Sequence, residues 1–155
     1  MNNFKIRKAK ISDIKQIQGL INSYASQGLM LARSLNELYE NIRDFWVCEH
    51  RLKVIGCAAV HISWENLVEI KSVAVDKNFQ RSGIGTKLIK ACLAEAKALC
   101  AKKVFVLTYV PEFFRTFGFR KIEHAGLPHK IWAECINCPK FPDCQEIALI
   151  KTIAK

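Results

Sequence analysis

The chain has 155 residues, 50% of them apolar, which is the length of one ordinary domain with enough material for a sizeable core. Its formal net charge of +10 is spread along the sequence, with no arginine-rich tail and no lysine run longer than Lys102 and Lys103, so a highly anionic small molecule suits it better than nucleic acid or a membrane surface. The amino terminus lacks the apolar block of a signal peptide and the composition of a transit peptide, and no apolar run approaches the roughly 20 residues of a membrane span; a soluble, cytoplasmic protein is expected.

Phe4 to Arg7 reads as a first strand. Ser12 and Asp13 then cap an amphipathic helix that carries Ile14, Ile17, Leu20, Ile21 and Tyr24 at helical spacing, and Gly28 ends it. A loop through Leu31, Ala32 and Arg33 precedes a shorter helix that Ser34 can cap, with Leu35, Leu38, Tyr39 and Ile42 as its apolar positions. Residues 45–49 and 53–62 form a hairpin around His50 and Arg51. The next strand, residues 67–75, leads into a glycine turn and a long helix from about Gly83 to Cys100. Residues 103–109 make another apolar strand, ended by Pro111. A short aromatic helix over 112–116, a strand from near Phe119, a cysteine-bearing loop and a final strand over 146–153 follow. This order predicts one α/β (α+β) domain over residues 1–155, with a mixed, mostly antiparallel sheet and helices packed on its faces.

The junction from Glu69 to Thr86, EIKSVAVDKNFQRSGIGT, carries the most chemical information. Gln80, Arg81, Ser82, Gly83, Ile84, Gly85 and Thr86 place successive backbone N–H groups at the start of the long helix, where four donors lack intrahelical partners and the dipole is positive. Phosphate oxygens can accept from such a cradle, and the two glycines let the backbone approach closely. A short glycine pair can also be an ordinary turn into a helix. The lysine placement of a P-loop and the two-stranded unit of a dinucleotide site are both missing.

In context the junction is more specific. The strand over 69–75, the run Gln-Arg-Ser-Gly-Ile-Gly, the helix and strand that follow, and the Phe-Phe-Arg-Thr-Phe-Gly-Phe segment at 113–119 together resemble the GNAT acetyltransferase superfamily. That resemblance covers most of residues 4–123. It implies a splayed sheet, a pyrophosphate of acetyl-CoA wrapped by residues 80–86, and a pantetheine arm that pairs with the backbone of Val73 and Val75. A narrower likeness rests on Gly28 to Ser34, on Glu69 and Ile70 before Ser72 to Val75, on Val104 to Tyr109, and on Leu127 and Pro128 ahead of the cysteines. In these the chain is similar to the single-domain N-acetylglutamate synthases of arginine biosynthesis, which implies acetyl transfer from acetyl-CoA to the amine of L-glutamate.

Attack on a thioester requires a neutral amine, so a base must take its proton directly or through water. Glu69 is the candidate; the competing reading is a strand glutamate that faces solvent or pairs with Lys71. A backbone N–H near Ile70 to Val73 could hold the oxyanion of the tetrahedral intermediate. In many members of the superfamily a tyrosine protonates the departing thiolate, but the matching residue here is Phe114. Thr108 is the preferred hydrogen-bond donor to sulfur, with Tyr109 as the alternative. Arginine matches a carboxylate with two parallel hydrogen bonds, which selects Arg33 as the first substrate anchor, with Lys71 or Lys130 for the second carboxylate. Phe113, Phe114, Phe117 and Phe119 read as core.

Seven cysteines in a chain expected inside the cell point to thiols or metal rather than disulfides. Cys57, Cys92 and Cys100 read as small core residues. Cys135, Cys138 and Cys144 form C-x2-C-x5-C, one ligand short of a structural zinc site that His129 could complete, with free thiols in a lid as the other reading. The partners expected are acetyl-CoA and L-glutamate, with a homodimer as the candidate assembly. The competing functions are acetylation of another amino acid, a polyamine or a protein amino terminus, and a non-catalytic binding module.

Overall fold

The computed structural model describes residues 3–127, 135–138 and 145–153. Seven strands form an open mixed sheet in the order β1-β2-β3-β4-β5-β7-β6. They are β1 (Lys5–Lys8), β2 (Phe45–His50), β3 (Lys53–Trp64), β4 (Leu67–Val75), β5 (Lys103–Thr108), β6 (Arg120–Ile122) and β7 (Ile147–Thr152). The helices are α1 (Ile14–Ala25), α2 (Leu35–Glu40), α3 (Ile84–Ala98) and α4 (Pro111–Arg115). The chain forms two compact units, one of Met1–His61 with Ile70–Glu95 and one of Ile62–Glu69 with Ala96–Lys155.

In the first unit β1, β2 and β3 run antiparallel. Ile14, Ile17 and Ile21, spaced three and four apart on α1, are fully buried with Leu38, Phe45, Val47, Cys57, Ala59 and Ala74. Ser34 caps α2 as its sequence suggests, its hydroxyl oxygen accepting the Glu37 N–H at 3.1 Å. The hairpin turns through Arg51 and Leu52, both left-handed with φ of +50° and +65°, a geometry usually left to asparagine and glycine. Where β2 meets β3 the register slips, with Cys48 opposite Gly56 and Glu49 opposite Val54. Ile55 is thus the extra residue of a bulge. Gly56 beside it admits α3, since a Cβ there would stand 3.0 Å from Ile84 Cγ2 and 3.1 Å from Leu88 Cδ1.

The helix cap expected at Ser12 and Asp13 is replaced by a salt-bridge network. Asp13 accepts a bidentate pair from Arg7 at 2.8 and 3.0 Å and the Lys10 N–H at 2.7 Å, and Arg7 Nε also donates to Glu49 at 2.8 Å. The Lys10 bond closes a capping box on the 3-10 turn Ile11–Asp13 that leads into α1, so the carboxylate serves that turn and the guanidinium together and leaves α1 itself without a side-chain cap.

In the second unit β4 pairs in parallel with β5 over Leu67–Glu69 and Lys103–Phe105. The rest of β4 belongs to the first unit. Strand β7 lies antiparallel to both β5 and β6. Phe105, Leu127, Ala148 and Ile150 make the core here. Phe113, Phe114, Phe117 and Phe119 stack edge to face, with Phe114 and Phe119 buried as expected. Cys57 and Cys92 are core residues, and so is Cys48, but Cys100 is exposed in the turn after α3 with φ of +60°. Among the described residues no helix is long and apolar enough to cross a membrane.

The Arg7 guanidinium holds the Asp13 carboxyl below its ordinary range. A depressed carboxylate contributes stability that is complete above its unfolded value and is lost as pH falls through the folded one. Asp13→Asn should therefore lower the unfolding free energy at pH 7 by about 2 kcal/mol, and the deficit should shrink below about pH 4. Urea unfolding of both proteins across that range checks this; a deficit that does not change with pH would show that packing, not charge, is what Asp13 provides.

Candidate active site

Residues 76–83 join β4 to α3, and four contacts set their path. The Asp76 N–H donates to the Ile55 carbonyl at 2.8 Å, tying the end of β4 to the β3 bulge. The Asp76 carboxylate accepts the Asn78 N–H at 2.8 Å and opens the 3-10 turn Lys77–Phe79. Phe79 packs edge-on against Phe4 and His50, with ring centroids 6.2 and 5.6 Å away. The Ser82 hydroxyl donates back to the Phe79 carbonyl.

Arg81 and Gly83 then adopt left-handed backbone with φ of +61° and +84°. Left-handed residues interrupting ordinary backbone in this way build concavities of N–H groups that suit anions. No heavy atom lies within 4 Å of where a Gly83 Cβ would stand, so the torsion rather than crowding calls for glycine. The Lys87 N–H bonds to the Gly83 carbonyl at 3.1 Å. Ile84, Gly85 and Thr86 lie ahead of it, at the positive end of a 15-residue helix with no acidic side chain in its first turn. The side chain of Ile84 is buried in the core, so it is the backbone of Ile84 that can serve a ligand.

Two predicted cofactor residues are braced by a residue that apolar periodicity had assigned to the core. Tyr24, on α1, donates its hydroxyl to the Val75 carbonyl and accepts from the Gln80 side chain, which also reaches Val75 at 3.4 Å. The Val75 carbonyl is thereby engaged by protein. Gln80 holds the loop in place rather than aiming its amide outward. Only the depth of Tyr24 beside β4, a tertiary fact, reveals this role.

Arg33 and Lys71 come together in a shallow groove lined also by Glu37, Asn41, Asp44 and Ser72. The backbone of Arg33 is held from both sides by α1, because Gln18 donates to its carbonyl at 3.2 Å and Asn22 accepts its N–H at 3.3 Å. Gln18 and Asn22 sit one helical turn apart, which lets both grip a single residue. The guanidinium lies 3.7 Å from Glu37, a loose i,i+4 pair that a carboxylate ligand could displace. Asp44 meets the groove while contacting His61 Nδ1 at 2.8 Å. Ser72 carries a feature with no sequence signal, a φ of +55° inside β4. A β-carbon makes that conformation costly, and such strain concentrates at functional sites.

In the second unit Glu69 is 3% exposed, which removes the solvent-facing reading of that residue. It sits opposite Phe105. Thr108 is buried at the end of β5, and its hydroxyl oxygen accepts the Val110 N–H at 2.9 Å, leaving the hydroxyl proton to donate elsewhere. Thr108 is three residues past Phe105, roughly 10 Å along the strand, and the odd offset sets it on the opposite face from Glu69. The two groups cannot share one proton directly. Among the described residues no three metal-ligating side chains gather, and Cys144, His129 and Lys130 lie outside the described residues.

A mixed open sheet, an anion-binding loop between a strand and a helix start, and a polar groove holding Arg33 and Lys71 beside the same strand fit an acyl-CoA-dependent transferase fold. A model of the acetyltransferase (GNAT) domain matches residues 41–121, and the chain belongs to this family of acetyl-CoA-dependent N-acetyltransferases. It is 40% identical over 148 residues to an uncharacterised N-acetyltransferase of Chlorobaculum tepidum, covering 96% of each chain. It is 39% identical over 132 residues to an amino-acid acetyltransferase of Mycobacterium tuberculosis, covering 83% of this chain and 75% of that one. The fold superposes on the N-acetylglutamate synthase of Neisseria gonorrhoeae, solved with coenzyme A and N-acetyl-glutamate, with a TM-score of 0.89 and 25% identity; the match covers all of this chain and 36% of that one.

Tyr24→Phe removes one donor and one acceptor while keeping the ring. It should weaken coenzyme A binding about fivefold, the equivalent of one hydrogen bond, with no change in circular dichroism. Titration calorimetry measures this, and an unaltered Kd would reduce Tyr24 to a brace of the fold.

Proposed function

We propose that this N-acetyltransferase moves the acetyl group of acetyl-CoA onto the α-amine of L-glutamate, giving N-acetylglutamate and CoA, the first step of arginine biosynthesis. The reading takes residues 1–155 as a single acetyltransferase domain working in the cytoplasm. The observation that carries it is the groove, where Arg33 and Lys71 meet beside β4. Glu37 and Asp44 line the same recess and balance its charge, but the Arg33–Glu37 pair is loose, so Arg33 and Lys71 can turn to the two carboxylates of an acceptor, and the Neisseria synthase of the same fold was solved with N-acetyl-glutamate.

The reaction runs by direct attack in a ternary complex. Residues 80–86 hold the pyrophosphate through backbone N–H groups, and the β4 backbone near Val73 takes the pantetheine arm. Glu69 draws the proton from the ammonium through water, and the amine nitrogen attacks the thioester carbon. An N–H from the β4 backbone near Ser72 receives the oxyanion. As the carbon–sulfur bond breaks, Thr108 donates a hydrogen bond to the departing sulfur.

A CoA-release assay across glutamate, aspartate, glutamine and ornithine tests the acceptor. Glutamate should give the highest kcat/KM, and a preference for ornithine would refute Arg33 and Lys71 as carboxylate anchors. Arg33→Ala should raise the glutamate KM by about a hundredfold, the scale of a lost charge-assisted pair, with acetyl-CoA binding little changed. Glu69→Gln should lower kcat by about a hundredfold with the acetyl-CoA KM little changed; full turnover in this variant would remove Glu69 from the mechanism.

A further inference from the structure

The left-handed Ser72 in the middle of β4 requires something to hold it. A side-chain-bearing residue in that region costs on the order of 1–3 kcal/mol, and a displaced strand carbonyl in a buried setting must still find a donor. Ser72 is 8% exposed, so water is a poor source. The donor is Cys57 on β3, whose Sγ lies 3.3 Å from the Ser72 carbonyl and whose side chain is fully buried. A backbone hydrogen bond from Ala74 reaches the same thiol, so Cys57 contacts β4 at the kink and again two residues beyond it.

We infer that Cys57 is a positioning residue for acetyl transfer: its thiol holds the Ser72 kink and thereby sets the β4 backbone N–H that receives the oxyanion. Thiol chemistry fits this task. The S–H group is a weak donor that costs far less to bury than a hydroxyl. Burial pushes the Cys57 thiol up to about 12, so it keeps its proton, and with it the donor, through the neutral range. The residue touches neither substrate nor cofactor and acts only through the backbone it holds. The kinetic part of the inference rests on the oxyanion placement proposed above; the structural part does not.

Three variants separate the possibilities. Cys57→Val fills the space without a donor, Cys57→Ala removes both, and Cys57→Ser restores a donor. At saturating substrates Val and Ala should lose kcat about tenfold or more, with the acetyl-CoA KM within about twofold of the parent, and Ser should recover most of the loss. Amide resonances of Ser72, Val73 and Ala74 in 15N-labelled protein should move in Val and Ala and return toward the parent in Ser. That readout needs no acceptor, so it stands even if glutamate proves to be the wrong substrate. Parent-like resonances in Cys57→Val would overturn the inference outright. So would a Ser variant that stays folded and loses as much kcat as Val.

Discussion

Backbone amides in a sheet are normally consumed by the neighbouring strands, and a protein that binds its cofactor along a strand has to free some of them without unravelling the sheet. Here β4 meets that constraint by two departures from regularity. Ser72 turns left-handed in mid-strand, and the strand's end is tied by the Asp76 N–H to the extra residue of a bulge in β3. Each departure displaces polar backbone groups that need partners. The partners are a buried thiol, a tyrosine hydroxyl and a bulge carbonyl, and these contacts fix the path of β4 in the first unit.

Helix α1 connects much of this arrangement within that unit. Its apolar face supplies Ile14, Ile17 and Ile21 to the core, while three polar side chains on the same helix reach functional backbone. Gln18 and Asn22 grip Arg33, and Tyr24 grips Val75 and Gln80. A single element thus sets the position of a cation suited to an acceptor carboxylate and of the loop suited to a pyrophosphate. The Arg7, Asp13 and Glu49 network anchors the chain just before α1, which gives this partly buried ion network a structural purpose. Such networks are demanding to bury, and this one succeeds because Asp13 receives three hydrogen bonds.

Most elements were legible in the sequence because their signals are local. Isoleucine spacing marks α1, Ser34 marks the start of α2, Pro111 marks α4, and the apolar runs mark β4 and β5. The cradle was legible for the same reason, since Gly83 and the helix it opens are neighbours in the chain. What local signals mislead about is side-chain employment. Ser12 and Asp13 look like a cap until Arg7 arrives from β1. Cys100 looks like a continuation of the apolar face of α3 until the helix ends at Ala98. Tyr24 looks like core because periodicity sees the ring and not where the hydroxyl goes.

The sequence by itself determined the class of this protein, because an anion-binding loop between a strand and a helix is encoded in consecutive residues, and glycine at a left-handed position leaves a visible mark. It also determined which cations and carboxylates were candidates for the chemistry. Only the tertiary structure decided that Arg33 and Lys71 share a groove, that Glu69 is buried, and that Ser72 is left-handed beside the Cys57 thiol. Contacts between residues distant in the chain depend on how strands pair and helices dock, and a strained torsion at a serine has no compositional signature when its cost is met by such neighbours.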